Sequence, residues 1–129
     1  MLAAAVVGNQ LDIGPQAVVD FFEMDGWRSV QLGADVPTRD IVKAVDFFEV
    51  NLLALSASHC TQLETVRETI DAVRLARPPD RTKILVGGFA FLGFEDLPRR
   101  LGADGYAPDP AAAVALGRRL VFGSVRRAC

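Results

Sequence analysis

The only histidine of this chain, His59, stands between Ser58 and Cys60. A hydroxyl, an imidazole and a thiol are the groups from which nucleophilic and metal-ligating sites are built. Their adjacency works against a catalytic pair, because neighbouring side chains on an extended segment point to opposite sides. His59 stands instead as an alternative ligand for a metal or a haem iron, flanked by a soft sulfur; its plain structural role is to cap the helix that follows. Two further stretches could act through backbone and shape. One is Gly8-Asn9-Gln10-Leu11-Asp12-Ile13-Gly14-Pro15, a polar turn after an apolar run, and the other is Gly87-Gly88, where missing side chains leave room for something to approach the main chain.

Several chemistries are excluded by what these loops lack. Phosphate binding after the first strand calls for amides, hydroxyls or a Lys, and the Gly8 to Gly14 turn has no Ser, Thr or Lys and neither a GxGxxG nor a Walker pattern. A phosphate-accepting receiver would need acidic residues after strand 1, an Asp ending strand 3 and a Lys ending strand 5. The chain offers Gly8-Asn9-Gln10, Ser56-Ala57-Ser58 and Tyr106-Ala107-Pro108 at those places. Cys60 and Cys129 form no CxxC and no Cys/His cluster, so a reducing cytoplasm is the expected compartment.

At 129 residues the chain fits one domain, with a core over residues 1–122 and a C-terminal tail at 123–129. Its opening strand, so close to Met1, suggests a piece excised from a larger protein. A hydrophobic fraction of 50% suits a parallel sheet covered on both faces, and the surplus suits a face that another domain covers. With 14 basic and 16 acidic residues there is no electrostatic footprint for nucleic acid or an anionic membrane. Met-Leu-Ala-Ala-Ala-Val-Val is too short for a span and lacks a basic start. The cations Arg118, Arg119, Arg126 and Arg127 suit a solvated helix C-terminus.

Apolar runs alternate with amphipathic stretches five times, which predicts a β-α repeat. Strands are expected at Leu2 to Val7, Ser29 to Leu32, Leu52 to Ser56, Lys83 to Val86 and Gly105 to Ala107, with helices over 15–25, 38–49, 61–76, 94–101 and 110–121. Pro15 and Pro110 suit first helical turns, Asp109 an N-cap, and Thr61-Gln62-Leu63-Glu64 a capping box. Gly26 should end the first helix and Pro78-Pro79 the third. Right-handed crossovers then give a flavodoxin-like (Rossmann-like) three-layer α/β sandwich, a five-stranded parallel sheet in the order 2-1-3-4-5. A ligand belongs at the carboxyl ends of its strands, at the switch point between strands 1 and 3.

Asp12-Ile13-Gly14, Leu32-Gly33-Ala34-Asp35-Val36-Pro37, Leu55-Ser56-Ala57-Ser58, Val86-Gly87-Gly88 and Gly102-Ala103-Asp104-Gly105-Tyr106-Ala107-Pro108-Asp109 fall in order across nearly the whole chain. In this set the chain resembles the cobalamin (vitamin B12)-binding domains of methionine synthase, corrinoid methyltransferase partners, mutases and sensory regulators. The resemblance implies cobalamin as cofactor, its nucleotide tail entering a slot between sheet and helices. Ser56 would hydrogen-bond the dimethylbenzimidazole, and Gly87 and Gly88 would admit ring and ribose close to the backbone. Asn9, Gln10, Leu11, Asp12, Ile13, Gly14, Ser58, Phe89, Tyr106 and Ala107 complete the implied cofactor-binding set. In the family the first turn reads Asp-x-His-x-x-Gly, its His reaching the cobalt from below; the matching positions here are Asn9, Leu11 and Gly14, so that ligand is replaced. Ser58 stands where the family more often has Leu or Thr.

The implied role is a non-catalytic corrinoid-binding module of a sensory or regulatory protein, engaged in signal transduction or transcription regulation. A further protein domain would cover the upper face of the cofactor. The alternatives are a haem or other tetrapyrrole sensor, a corrinoid carrier of a methyltransferase, and a docking domain without ligand.

Overall fold

A computed structural model describes residues 1–6, 13–94 and 96–127, with the backbone alone for 13, 14 and 124–127. Five parallel strands form one sheet: β1 (Leu2–Val6), β2 (Val30–Val36), β3 (Leu52–Ser56), β4 (Lys83–Gly87) and β5 (Gly105–Tyr106). Their order is β2-β1-β3-β4-β5, as the β-α repeat predicts. The helices are α1 (Ile13–Met24), α2 (Thr38–Phe47), α3 (Leu63–Ala76), α4 (Leu97–Arg100) and α5 (Pro110–Arg127). Short 3-10 turns at Cys60–Gln62 and Phe89–Phe91 follow β3 and β4.

Both faces of the sheet are covered, so the inner strands are apolar without alternation and β1 is buried throughout. On one face Leu2, Leu53, Leu55, Ile84 and Val86 pack against Ile41 and Val45 of α2 and Val66, Ile70 and Val73 of α3. On the other, Met1, Ala3, Leu52 and Leu85 meet Val19 and Phe22 of α1 and Ala113 of α5. α5 comes close there because it carries Gly117, where a Cβ would lie 2.7 Å from Leu52 Cδ2 and 3.0 Å from Phe22 Cζ.

The helix ends follow the sequence in most places. Asp109 caps α5, its Oδ1 accepting from the amide of Ala112 at 2.8 Å. Gly26, at φ +94°, closes α1, and Arg77 is extended before Pro78, ending α3. Three expectations are corrected. β2 is longer than Ser29 to Leu32, running to Val36, because Gly33 (φ +95°) and Asp35 (φ +55°) take left-handed conformations that bulge the strand without ending its pairing with β1. Thr61 does not cap α3; it lies inside the 3-10 turn, and the N-cap of α3 is Gln62, which makes no side-chain bond to the helix and instead holds the preceding loop, its buried Oε1 accepting from the amides of Ser58 (2.9 Å) and His59 (3.2 Å). α5 is longer than 110–121 and continues to Arg127.

At the amino edge of the sheet, α3 is tied to β4 and β5 by polar contacts. Asp104 Oδ2 accepts from the Ile84 amide and from Arg74 Nη2, each at 2.7 Å, and the buried Thr82 hydroxyl donates to the Val50 carbonyl at 2.6 Å.

Candidate cofactor site

Along the face covered by α1 and α5, the side chains shrink from the amino to the carboxyl end of the strands. Met1, Leu52 and Phe22 fill the amino end. The next row in register is Ala3, Ala54, Leu85 and Gly105, and the row above it is Ala5, Ser56 and Gly87. The opposite face keeps Leu55 and Val86 at the same height. Two helices laid over large residues at one end and small ones at the other leave a wedge of space.

That wedge is a cavity of about 250 Å³. Ala3, Ala54, Leu85 and Ala107 form its floor; Pro15 and Val18 of α1 stand on one side, Pro110 and Ala113 of α5 on the other; Ser56, Gly87, Gly88, Phe89, Leu92, Tyr106, Pro108 and Asp109 surround its mouth. The volume lies a little below the usual range of about 300–1,000 Å³ for small-molecule sites, which suits one flat heteroaromatic group rather than a whole large ligand. Phe89 and Leu92 at the mouth are 74% and 58% exposed, an apolar shelf on which a flat macrocycle outside the slot could rest.

Two glycines shape the rim in different ways. A Cβ on Gly87 would stand 3.0 Å from the Ala107 carbonyl oxygen, so its bareness lets β4 and the end of β5 close together. Gly88 has φ +106°, and a Cβ there would collide with the Ala57 carbonyl oxygen. Its first reason is therefore the turn itself, and space for a ligand comes second. The main chain at this rim is already paired: the Ala57 amide donates to the Gly87 carbonyl (3.1 Å), Ala107 to Val86 (3.1 Å) and Ala90 to Ala57 (3.2 Å).

Of the residues singled out in the sequence, Ser56, Gly87, Gly88, Phe89, Tyr106 and Ala107 meet around this one cavity. Tyr106 leans on Phe91, their ring centroids 6.1 Å apart. Ser58 and His59 do not line it; both belong to the loop held by Gln62, with His59 exposed. Among the described residues no group of three or more His, Cys, Asp or Glu side chains is placed to hold a metal ion. Asn9, Gln10, Leu11 and Asp12 lie outside the described residues, and Ile13 and Gly14 open α1 with their side chains undescribed. The lining residues Ala3, Ala54 and Ala113 carry no signal of a site in the sequence, since a small residue in an apolar run reads as ordinary core, and Val18 reads as the apolar face of a helix.

Residues 1–115 match the B12 binding domain family. The chain belongs to that family. Cobalamin is accordingly the cofactor of this B12-binding domain. It is 30% identical over 119 residues to dimethylamine corrinoid protein 1 of Methanosarcina mazei, covering 92% of this chain and 54% of that protein. The chain thus spans about half the length of that relative. Among solved structures it is similar to a cobalamin-binding protein from Desulfitobacterium hafniense, with a TM-score of 0.84 and 30% identity over 93% of this chain and 57% of the other. The monomethylamine corrinoid protein of Methanosarcina barkeri, at 24% identity and a TM-score of 0.80 over 89% of this chain and 54% of the other, shares the fold. No helix among the described residues is long and apolar enough to cross a membrane.

The wedge fits the tail of the cofactor. A planar base needs parallel walls without side chains projecting between them, and Ala3, Ala54 and Ala107 facing Pro15 and Ala113 offer that. When bound, cobalamin would supply the cobalt chemistry, and the residues lining the wedge would hold its tail and exclude water from it.

Proposed function

We propose that this B12-binding domain takes the nucleotide tail of cobalamin, base first, into the slot between the sheet and helices α1 and α5. The macrocycle then rests on the carboxyl edge against Phe89 and Leu92. The observation that carries this reading is the small-residue floor of Ala3, Ala54 and Ala107, where the opposite face at equal height is filled. Burying a flat aromatic surface of this kind contributes about 25 cal/mol for each Å² of apolar area removed from water. The role of Ser56 is to hydrogen-bond the base at the mouth. Substitution of Ala113 by Leu tests the slot, because it fills the space from a helix position without touching the rim. The Ala113→Leu protein should keep its far-ultraviolet circular dichroism and lose retention of hydroxocobalamin on gel filtration. Equal retention by a folded variant refutes entry of the tail between α5 and the sheet.

The domain does not catalyse by itself in this reading; it presents a corrinoid to a second protein domain that covers the upper face. With Leu11 in place of the family's histidine and Asn9 in place of its acid, the cobalt lacks a protein ligand from below. That loss of control over the metal favours a sensory or regulatory parent protein in the cytoplasm. A second reading, a corrinoid carrier in methyl transfer, is favoured by the likeness to a dimethylamine corrinoid protein over 92% of the chain. The two readings part on one assay. Under reducing conditions with dimethylamine and a dimethylamine methyltransferase, the loaded protein of a carrier changes to the methylcobalamin spectrum. A regulatory module keeps its starting spectrum.

A further inference from the structure

The polarity of the slot points beyond binding to a choice among corrinoids. Natural corrinoids share a macrocycle and differ in the lower base at the end of the tail, which is a benzimidazole in some and a purine in others. A substituted benzimidazole presents a carbon-rich edge, whereas adenine carries an exocyclic amino group and further ring nitrogens that are hydrogen-bonded in water. Among the described residues the deep part of the slot is made of Ala3, Ala54, Leu85, Ala107 and Ala113, none with a polar side chain.

The polar side chains among the described residues, Ser56, Tyr106 and Asp109, stand at the mouth and not in the deep part. Asp109 Oδ1 accepts from the Ala112 amide, Ser56 takes part in an interaction within the protein, and the carbonyls of Ala57, Val86 and Gly87 each accept a backbone amide. The exocyclic amino group and ring nitrogens of a purine pushed into the deep part would lose their bonds to water and meet no polar side chain among the described residues there, at a cost the carbon-rich edge of a benzimidazole does not bear. We infer that the slot selects corrinoids by their lower base, admitting benzimidazole tails and disfavouring purine tails.

This inference rests on the tail-in-slot reading, and three ligands separate the two. The unsubstituted protein is titrated with cobalamin, with the corresponding corrinoid whose lower base is adenine, and with cobinamide, which has no nucleotide. Dissociation constants are measured by equilibrium dialysis, with corrin absorbance as the readout. Cobalamin should bind about 10- to 100-fold more tightly than the adenine form, the range set by one or two unsatisfied polar groups, and cobinamide should bind no better than the adenine form. If cobalamin and the adenine form bind within about threefold of each other and both exceed cobinamide, the tail enters but the slot does not select, and the inference falls alone. Tighter binding of the adenine form also overturns it. If all three bind alike, the tail does not enter and the binding reading fails with it.

Discussion

Replacing Gly88 by Ala should unfold the rim of the slot before any cofactor is added. At φ +106° and ψ 170° the residue occupies a region that is essentially reserved for glycine, and a side chain there costs about 1–3 kcal/mol. The new Cβ would also strike the Ala57 carbonyl oxygen. Relief requires the loop to move off Ala57, which breaks the 3.2 Å bond from the Ala90 amide and removes about 1 kcal/mol more. The combined loss is about 2–4 kcal/mol, equivalent to a fall in melting temperature on the order of 8–16 °C for a domain of this size. Thermal unfolding of the cofactor-free protein followed by circular dichroism measures it. Gly87→Ala serves as the comparison, since its Cβ stands at 3.0 Å from the Ala107 oxygen and needs only a few tenths of an ångström of adjustment. A cofactor-free Gly88→Ala protein that melts with the parent would refute the argument and return Gly88 to a role in ligand contact alone.

Other substitutions test separate parts of the structure. Asp104→Ala should lower stability by about 1–3 kcal/mol, because the amide of fully buried Ile84 loses its 2.7 Å partner; an unchanged urea midpoint would mean that water replaces the carboxylate. Asp109→Ala removes the 2.8 Å cap on α5 and should cost roughly 1 kcal/mol in the same assay. The pair Asn9→Asp with Leu11→His should bind hydroxocobalamin more tightly than either single change and shift its visible spectrum towards a histidine-ligated form, since an imidazole needs its second nitrogen oriented by a carboxylate. A double variant that binds no better than the parent places Leu11 away from the cobalt.

The sheet order and most helix ends could be read from the sequence because they rest on local chemistry: β-branched and leucine-rich runs, Pro15 and Pro110 in first turns, Asp109 before Pro110, and Pro78 after Arg77. The true length of β2 could not, since Gly33-Ala34-Asp35 has the composition of a turn and becomes strand only through its pairing with β1. The residues at the rim of the cavity could be singled out in the sequence where their type is unusual, at Ser56 and Gly87-Gly88. Its floor could not, because Ala3 and Ala54 become a cavity only once α1 and α5 are held off by Phe22 and Leu52. Reading each strand at period two, one face at a time, would have shown the shrinkage from Leu52 to Ala54 to Ser56. Ser58 and His59 lie close to Ser56 in sequence, yet they do not line the cavity, because the buried Gln62 binds the amides of their loop.

The unequal filling of the two sheet faces makes an occupant of the slot a structural member of one half of the molecule. The α2 and α3 face is complete in itself, while the α1 and α5 face has a wedge of about 250 Å³ in its interior. Any ligand that enters only the folded chain adds stability in proportion to the logarithm of its concentration, about 2.7 kcal/mol at one hundred times its dissociation constant. Loading through the slot would then be the last step of core assembly on one side of the sheet and a bystander event on the other. Amide hydrogen exchange would register it as slowed opening of the first turns of α1 and α5, with α2 and α3 exchanging as before until the whole domain unfolds.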